Sequence, residues 1–141
     1  MTKQFCTFHL GDHYYGLDVL RVQEVVRNQP LTRVPLAPGA VRGLINLRGQ
    51  IVTAIDLRAR LELPPADDES SDAVSVIVQM EDGAVSFAVD QIGDVLELPD
   101  EQFESPPETL RGSVRALILG SYKLPETLLV VLDPERIVAA V

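Results

Sequence analysis

Residues 5–26, FCTFHLGDHYYGLDVLRVQEVV, are repeated 70 positions later and without a gap as residues 75–96, SVIVQMEDGAVSFAVDQIGDVL. The apolar positions of the two copies largely coincide, so that Phe8 meets Val78 and Leu17 meets Phe87. Solenoid repeats are shorter than this, at about 20–50 residues, and need more copies. The repeat therefore predicts two similar units that pack on each other.

Each copy of the repeat predicts a β-hairpin. Apolar and polar residues alternate over residues 5–10 and 15–19, on either side of Gly11-Asp12-His13, and the second copy alternates in the same way around Glu81-Asp82-Gly83. Alternation with a period of two is typical of strands that bury one face. The stretches 20–26 and 90–96 are each expected to form one turn followed by a strand.

The segment between the two copies predicts another pair of strands. Residues 44–47 and 51–57 are largely apolar and flank a turn composition at Arg48-Gly49-Gln50. The second of these strands is apolar on both faces, which favours a barrel or interface strand. Residues 51–61 (IVTAIDLRARL) have an echo in residues 128–138 (LLVVLDPERIV), where Asp133 takes the place of Asp56.

Composition favours an all-β domain in a reducing compartment. The chain has 141 residues, of which 46% are hydrophobic, and Val, Ile and Leu far outnumber the seven aromatic residues. β-Branched residues favour strands. No apolar run approaches the roughly 18 residues of a membrane span, and no signal peptide is predicted at the N-terminus. A single cysteine, Cys6, forms no intrachain disulfide, which fits the cytoplasm.

Charge is distributed unequally along the chain. Residues 1–61 hold eight Lys/Arg and four Asp/Glu, a net charge of +4, whereas residues 62–141 hold four and seventeen, a net charge of −13. The total of −9 argues against a nucleic-acid partner. The asymmetry suggests two faces with different partners, although acidic side chains also collect in solvated loops.

Two acidic, proline-containing segments are predicted to be loops. Residues 62–73 (ELPPADDESSDA) separate the units, and residues 97–109 (ELPDEQFESPPET) follow the second copy, with one helical turn expected at 99–103. The chain is thus expected to form a single domain from a first subdomain, residues 1–61, and a second, residues 74–141. The C-terminal strand could complete the first subdomain instead of the second.

The sequence offers no catalytic centre, and we expect neither a metal nor a cofactor. Cys6 and His9 would point to opposite faces of one strand, and His13 lies beyond a turn, whereas zinc needs three or four convergent ligands. The chain has no phosphate-binding glycine motif with its lysine. Four aspartates lie at strand ends, where a carboxylate usually accepts hydrogen bonds from backbone N–H groups: Asp18, Asp56, Asp90 and Asp133.

Arg48 is an unusual residue for a hairpin turn. Two-residue hairpins usually carry Asn-Gly or Asp-Gly at this position, whereas this chain has Arg48-Gly49 between two apolar strands. An arginine here is able to reach a carboxylate through its planar guanidinium, and Glu24 is the natural partner. A solvated turn arginine is an equally good interpretation, since exposed ion pairs contribute little.

Residues 41–61, VRGLINLRGQIVTAIDLRARL, closely resemble the central motif of the chemotaxis coupling protein family, CheW, and of the related regulatory domain of the histidine kinase CheA. YYGLDVLRVQEVV, FAVDQIGDVLEL and LLVVLDPERIV also match the family, so the resemblance spans residues 5–138. One departure is Val52-Thr53-Ala54, where many members place a proline.

The resemblance implies a fold and a function. The expected fold is all-β: two five-stranded SH3-like β-barrels packed on a shared hydrophobic core, with short helical turns. The expected function is that of a cytoplasmic adaptor without catalysis. Such an adaptor links the cytoplasmic tip of a methyl-accepting chemoreceptor to the regulatory domain of CheA, and it is recruited to membrane-associated receptor arrays without inserting into the membrane.

The resemblance also assigns candidate site residues position by position. Residues matching the receptor-binding groove and its supporting surface are Val22, Glu24, Gly43, Asn46, Arg48, Ile92 and Val95; residues expected at the kinase interface are Leu47 and Ile51. Each apolar member would also suit simple core packing, and Gly43 would also suit the end of a helical turn.

Three alternatives to a chemotaxis adaptor stay open. An adaptor of a parallel pathway that controls surface or pilus motility would carry the same motif. A free-standing piece of the kinase is disfavoured, because the chain holds no kinase segment beyond its last strand. From another class of protein, a small-molecule-binding double β-barrel would need a convergent set of polar residues, which the sequence does not supply.

Overall fold

The protein is described by a computed structural model that covers residues 1–27, 29–35, 39–65, 74–110 and 112–139. Strands dominate, as the composition predicts. The first six are β1 (Thr2–Leu10), β2 (His13–Asp18), β3 (Val22–Arg27), β4 (Leu31–Thr32), β5 (Val41–Leu47) and β6 (Gln50–Ile55); the others are β7 (Val74–Met80), β8 (Gly83–Val89), β9 (Gln91–Pro99), β10 (Ile118–Lys123) and β11 (Leu128–Leu132).

The helical elements are short. They comprise α1 (Leu57–Arg60), α2 (Gly112–Arg115), α3 (Pro134–Ala139) and two 3-10 turns, at Val19–Arg21 and Asp100–Gln102. The first 3-10 turn directly precedes β3, and the second lies within the acidic segment after β9, which confirms the turns expected in residues 20–26 and 99–103. The turn expected at the start of residues 90–96 is wrong, because β9 already begins at Gln91. Within the described part of the chain, no helix has the length and apolar character needed to cross a bilayer.

The strands form two sheets. A five-stranded sheet has the order β10-β11-β2-β1-β9, and a six-stranded sheet has the order β3-β7-β8-β6-β5-β4. Most neighbours are antiparallel, but β11 runs parallel to β2, and β6 runs parallel to β8. The four predicted hairpin strands appear as β1 with β2 and β7 with β8.

The two sheets do not follow the expected division of the chain at residues 62–73. The five-stranded sheet combines β1 and β2 with β9, β10 and β11, whereas every strand from β3 to β8 lies in the six-stranded sheet. The C-terminal strand β11 therefore pairs with the first hairpin. Of the expected linker, residues 66–73 lie outside the described residues.

This exchange of strands reduces the contrast in charge between the two structural units. Residues 22–89 hold six Lys/Arg and nine Asp/Glu, net −3, and the remainder hold six and twelve, net −6. The strong asymmetry between the two halves of the sequence is therefore not an asymmetry between the two sheets. Charge alone gives no basis for assigning one partner to each sheet.

A hydrophobic core lies between the sheets and takes side chains from both. Phe8, Leu10 and Leu17 enter it from the five-stranded sheet, and Val76 and Phe87 enter from the six-stranded sheet; all five are fully buried. We call this cluster the shared core. The predicted shared core and the all-β class are confirmed. Burial of this kind stabilises the folded state by about 25 cal/mol per Å² of apolar surface removed from water.

Each sheet also encloses a smaller cluster on its other side. Ile77 of β7 points away from its neighbours Val76 and Val78 and packs with Ile45, Val52 and their neighbours inside the six-stranded sheet. Within the five-stranded sheet, the corresponding cluster is formed by Phe5, Tyr122, Leu129 and Val131. Because successive side chains of a strand point to opposite faces, alternate residues of these strands pack into the shared core and into the smaller cluster.

The four strand-end aspartates all accept backbone hydrogen bonds, as predicted. Asp18 accepts from Leu20 N at 3.0 Å, Asp90 from Gly11 N at 2.7 Å, Asp56 from Ala59 N at 3.1 Å and Asp133 from Glu135 N at 3.0 Å. Asp56 and Asp133 thereby begin helices α1 and α3. The expected strand over residues 51–57 is therefore wrong at its end, since β6 stops at Ile55.

The five-stranded sheet closes into a barrel through its backbone. Glu104 and Ser121 exchange two backbone hydrogen bonds of 2.9 Å, which join the segment after β9 to β10. The ring of Phe103 lies 5.3 Å from that of Tyr122, centroid to centroid, and passes over Gly120. We call this junction the backbone seam.

Candidate partner-binding surface

The hairpin between β5 and β6 turns at Arg48 and Gly49, which have positive φ angles of 51° and 88°. Leu47 pairs with Gln50, so the loop has two residues, and positive φ at both of them is what a type I′ turn requires. Asn46 Oδ1 accepts a hydrogen bond from the Gly49 N–H at 2.9 Å. The chain thus keeps an arginine where Asn or Gly is less strained.

The Arg48 side chain closes the six-stranded sheet. Its Nη2 donates to Glu24 Oε2, although β3 and β5 lie near opposite ends of the strand order. The sheet therefore curls until its two ends meet, and we call this junction the side-chain seam. The Arg48 side chain is 66% exposed and the Glu24 side chain 26%. The predicted pairing of Arg48 with Glu24 is confirmed.

Each member of the pair favours the charged form of the other. The hydrogen bond from Arg48 is the main cause that lowers the pKa of Glu24, and a second hydrogen bond from Gln23 acts in the same direction. Glu24 in turn raises the pKa of Arg48. Both charges face water, where an ion pair stabilises a fold only slightly. The pair therefore offers a partner an ordered, charged corner at little gain in folding stability.

Gly43 lies inside β5, where a side chain has no room, so it does not end a helical turn. Its φ is +154°, and a Cβ built there would lie 2.3 Å from the carbonyl oxygen of Thr32. That contact is with backbone of β4, which has no rotamer to move aside. Gly43 thus allows β4 to pack closely on β5 and sets the shape of the surface beside the side-chain seam.

An apolar rim borders the shared core, and both sheets contribute to it. Val22 of β3 and Ile92 of β9 are partly buried and pack against the shared core from one sheet each. Val95, also on β9, is 56% exposed. We call these three residues the apolar rim. Partly covered apolar side chains at the junction of two sheets are suited to receive an apolar partner surface.

The two residues expected at the kinase interface differ in exposure. Ile51 begins β6 beside the turn and is 58% exposed. Leu47 is only 4% exposed and packs inside the six-stranded sheet with Ile45 and Val52. The Leu47 side chain therefore belongs to the core of the six-stranded barrel. Of the two residues, only Ile51 presents apolar surface to solvent.

Sequence reasoning missed two exposed apolar residues beside these positions. Val25 follows Glu24 on β3 and is 39% exposed, and Leu20, in the turn before β3, is 87% exposed. The alternation in Val22–Arg27 carries a signal for Val25, because it places Glu24 and Val25 on opposite faces. Leu20 carries no comparable signal, since its side-chain direction depends on the 3-10 turn.

The described residues hold no group of three or more His, Cys, Asp or Glu placed to bind a metal ion. Cys6 is buried, and this burial raises the pKa of its thiol, which disfavours the reactive thiolate. The His9 ring instead stacks on Tyr14 at 4.6 Å. Cys6 and His9 are thus packing residues of β1.

Two surface clefts lie away from the apolar rim. One, of about 480 Å³, is lined by Arg115, Arg136 and neighbours around α2, and both arginines already donate to backbone carbonyls. The other, of about 150 Å³, lies beside the backbone seam between Phe103 and Tyr122. This second cleft is also lined by Lys3, Asp18 and Asp100.

Comparison with known proteins points to one family. A family profile described as the CheW-like domain matches residues 4–141. The chemotaxis protein CheW of Treponema pallidum is 34% identical over 137 residues, which cover 95% of this chain and 81% of that protein. The chemotaxis protein CheW of Klebsiella aerogenes is 31% identical over 138 residues, covering 98% and 82% of the two chains.

A solved structure supports the same conclusion for the fold. The scaffolding protein TtCheW from Thermoanaerobacter tengcongensis superposes with a TM-score of 0.84 at 29% identity, covering 94% of this chain and 90% of that one. The agreement extends over both sheets. The prediction of two SH3-like β-barrels on a shared core is therefore confirmed. The expected count of five strands is right for one barrel and wrong for the other, because the short strand β4 adds a sixth strand beside β5.

Proposed function

Because the chain belongs to the CheW-like domain family, we propose that it is a non-catalytic adaptor that couples chemoreceptor tips to the regulatory domain of the histidine kinase CheA. The observation that carries this proposal is the apolar rim: Val22 and Ile92 approach the shared core from different sheets, and Val95 beside them is 56% exposed. A surface built from two sheets offers a groove to a helical partner, and such partners bind through a few apolar anchors.

We assign receptor binding to the apolar rim together with the side-chain seam. The rim supplies apolar contacts, while Arg48 and Glu24 supply an ordered pair of charges at one corner of the six-stranded sheet. Asn46 holds the turn that carries Arg48, and Gly43 keeps β4 close to β5. Charges at such a rim mainly govern partner choice and encounter rate.

We assign kinase binding to the β5–β6 hairpin. Ile51 is the exposed anchor, and the buried Leu47 supports the same hairpin from inside the barrel. Substituting Ile51 would remove contact area, whereas substituting Leu47 would act through the fold. The two proposed surfaces meet at the turn of this hairpin, where Arg48 belongs to the receptor side and Ile51 to the kinase side. The apolar rim stays free for the receptor, which would bring the adaptor to membrane-associated arrays in the cytoplasm.

The decisive experiment is reconstitution from purified parts. The protein is mixed with a receptor signalling fragment and with the kinase regulatory domain, singly and together, and the complexes are separated by size exclusion. We expect each pair to associate and all three to elute as one complex. An Ile51→Ser variant should lose the kinase domain and keep the receptor. Absence of a complex with either partner would contradict the proposal.

The same reconstitution separates two pathways that share this motif. Receptor and kinase fragments from chemotaxis and from a chemosensory system of surface or pilus motility are compared at equal concentration. We expect tighter association with the chemotaxis pair. Preference for the other pair would keep the adaptor role and change the pathway.

A further inference from the structure

The ladder between β1 and β9 contains an irregularity beside the apolar rim. Its register shifts between Cys6 and Phe8, so that Thr7 alone lies opposite both Gly93 and Asp94. Two residues of one strand opposite one residue of the next form a β-bulge, which bends the strand and redirects its side chains.

The bulge decides where Ile92 and Val95 point. Residues three apart in a regular strand point to opposite faces. Here Ile92 pairs with Phe8 and Val95 pairs with Cys6, and because Cys6 and Phe8 are two apart, they share a face of β1. Directly opposed residues lie on the same face of an antiparallel pair. The extra residue therefore brings the two β9 side chains of the apolar rim, Ile92 and Val95, to one face.

A pair of hydroxyl groups, from the buried Thr7 and the partly buried Tyr14, holds the bulge. Thr7 is fully buried, and its Oγ1 donates to the carbonyl oxygen of Asp94 at 2.5 Å. The Tyr14 hydroxyl on β2 donates to Thr7 Oγ1 at 2.9 Å. These two bonds connect three neighbouring strands and satisfy a carbonyl group in the bulge, where unpaired buried polar groups are costly.

Gly93 completes the arrangement from the other side. A Cβ at this position would lie 2.5 Å from Thr7 Oγ1 and 3.5 Å from the Tyr14 ring. The Thr7 hydroxyl thus occupies the space that a side chain at residue 93 would need. Thr7 and Gly93 are therefore complementary, because the hydroxyl of Thr7 fills the space that Gly93 leaves open.

We propose that Thr7 and Tyr14 are positioning residues for the receptor-binding surface, acting through the bulge at Gly93-Asp94 to hold Ile92 and Val95 on one face. The inference rests on the proposed function for its receptor and on the geometry of β9 for its mechanism. Neither hydroxyl needs to touch the receptor, because Thr7 has no exposed surface.

The first test compares Thr7→Val, which removes the hydroxyl at nearly constant shape, with Thr7→Ser, which keeps it. Thr7→Val removes both hydrogen bonds of the hydroxyl, and we expect receptor-fragment binding about three- to tenfold weaker as β9 loosens. Thr7→Ser should bind like the wild type, and kinase-domain binding should be unchanged in both. Ser121→Ala, a buried Ser on β10 of the same sheet, is the control for general loss of a hydroxyl.

A second measurement needs no partner at all. Amide chemical shifts of the free protein are compared for wild type, Thr7→Val and Tyr14→Phe, and we expect changes concentrated at residues 92–96 and on β1 beside them. If the wild type binds no receptor fragment, the proposed function fails, yet these shifts still report whether the hydroxyls hold the bulge. Shifts spread evenly over both sheets would overturn the inference.

The third measurement asks whether Thr7 acts through β9. If Thr7 only positions the apolar rim, Thr7→Val should weaken receptor binding much less in a Val95→Ala background than in the wild type. Fully additive losses would overturn the inference, and so would equal losses of receptor and kinase binding, because both results indicate an effect on overall stability.

Discussion

The two barrels of this protein are closed in different ways. At the backbone seam, Glu104 and Ser121 exchange two backbone hydrogen bonds, and the Phe103 and Tyr122 rings pack beside them. At the side-chain seam, the solvent-accessible side chains of Arg48 and Glu24 join the ends of the sheet, and Val26 and Leu31 from those two ends pack on the cluster inside it. The hydrogen bonds of the backbone seam use groups that almost every residue has. The ion pair of the side-chain seam depends on two particular side chains.

This difference separates stability from recognition. Backbone hydrogen bonds carry no net charge to be screened, so the backbone seam keeps its strength in salt and is suited to hold a barrel shut. An exposed ion pair is weakened by salt and by acid, so the side-chain seam is suited to present charge.

The largest expected effect is that of Gly120→Ala at the backbone seam. The new Cβ would lie 2.4 Å from the carbonyl oxygen of Glu104 and 2.3 Å from Phe103 Cζ, so the paired backbone would have to separate. We expect a loss of about 2–4 kcal/mol in the free energy of unfolding, measured by urea denaturation. Gly39→Ala, where no atom lies within 4 Å of the added Cβ, is the control. Equal stability of the two variants would contradict the role of the seam.

Arg48→Ala should act on binding and leave the fold intact. The residue is exposed, and its loss removes one charge from the corner to which we assign receptor binding. We expect receptor-fragment binding about tenfold weaker, measured by titration calorimetry, with the urea midpoint close to that of the wild type. A collapse of stability would instead identify Arg48 as a structural brace.

Arg48→Asn should separate the turn from the ion pair. Asn is better suited than Arg to the positive φ of 51° at this position. We expect the thermal midpoint to rise by up to about 3 °C while receptor binding falls as in Arg48→Ala. A fall in the midpoint by a similar amount would mean that the ion pair outweighs the strain in the turn.

The smallest expected effect is the dependence of the side-chain seam on pH. Because Arg48 lowers the pKa of Glu24 in the folded state, the pair stabilises at neutral pH, and this contribution declines as the pH falls through the lowered pKa. The difference in thermal midpoint between wild type and Glu24→Gln should therefore be small at pH 7 and absent near pH 2. If the difference in thermal midpoint persists in acid, it arises from the packing of Glu24 and not from its charge.

Local features of the fold were predictable from sequence. Alternation placed the hairpins of β1 with β2 and β7 with β8, the composition at Arg48-Gly49 placed the β5–β6 turn, and four aspartates at strand ends predicted the local caps. Each of these depends on residues within a few positions of one another. The Glu24–Arg48 pair is separated by 24 positions, and the reach of an arginine side chain suggested it only as one of two equal interpretations, because sequence alone does not bring the two residues together.

Features that depend on distant pairing were not predictable. Nothing within β11 indicates that it lies beside β2, because its apolar pattern would suit either sheet. The bulge in β9 was not predictable for a related reason. The side-chain directions of Ile92 and Val95 depend on Thr7 across the ladder, more than 80 positions away in the sequence. The burial of Leu47 was missed because inward and outward positions exchange when a strand shifts by one residue.

The exchange of strands between the two halves has a consequence for synthesis of the chain. All strands of the six-stranded sheet lie within residues 22–89, so that sheet has every partner it needs before the last third of the chain is made. The first hairpin leaves the ribosome earliest, yet its neighbours β9 and β11 come last. During that interval both edges of a largely apolar hairpin stay open, which makes residues 2–18 the segment most exposed to misassembly with other nascent chains.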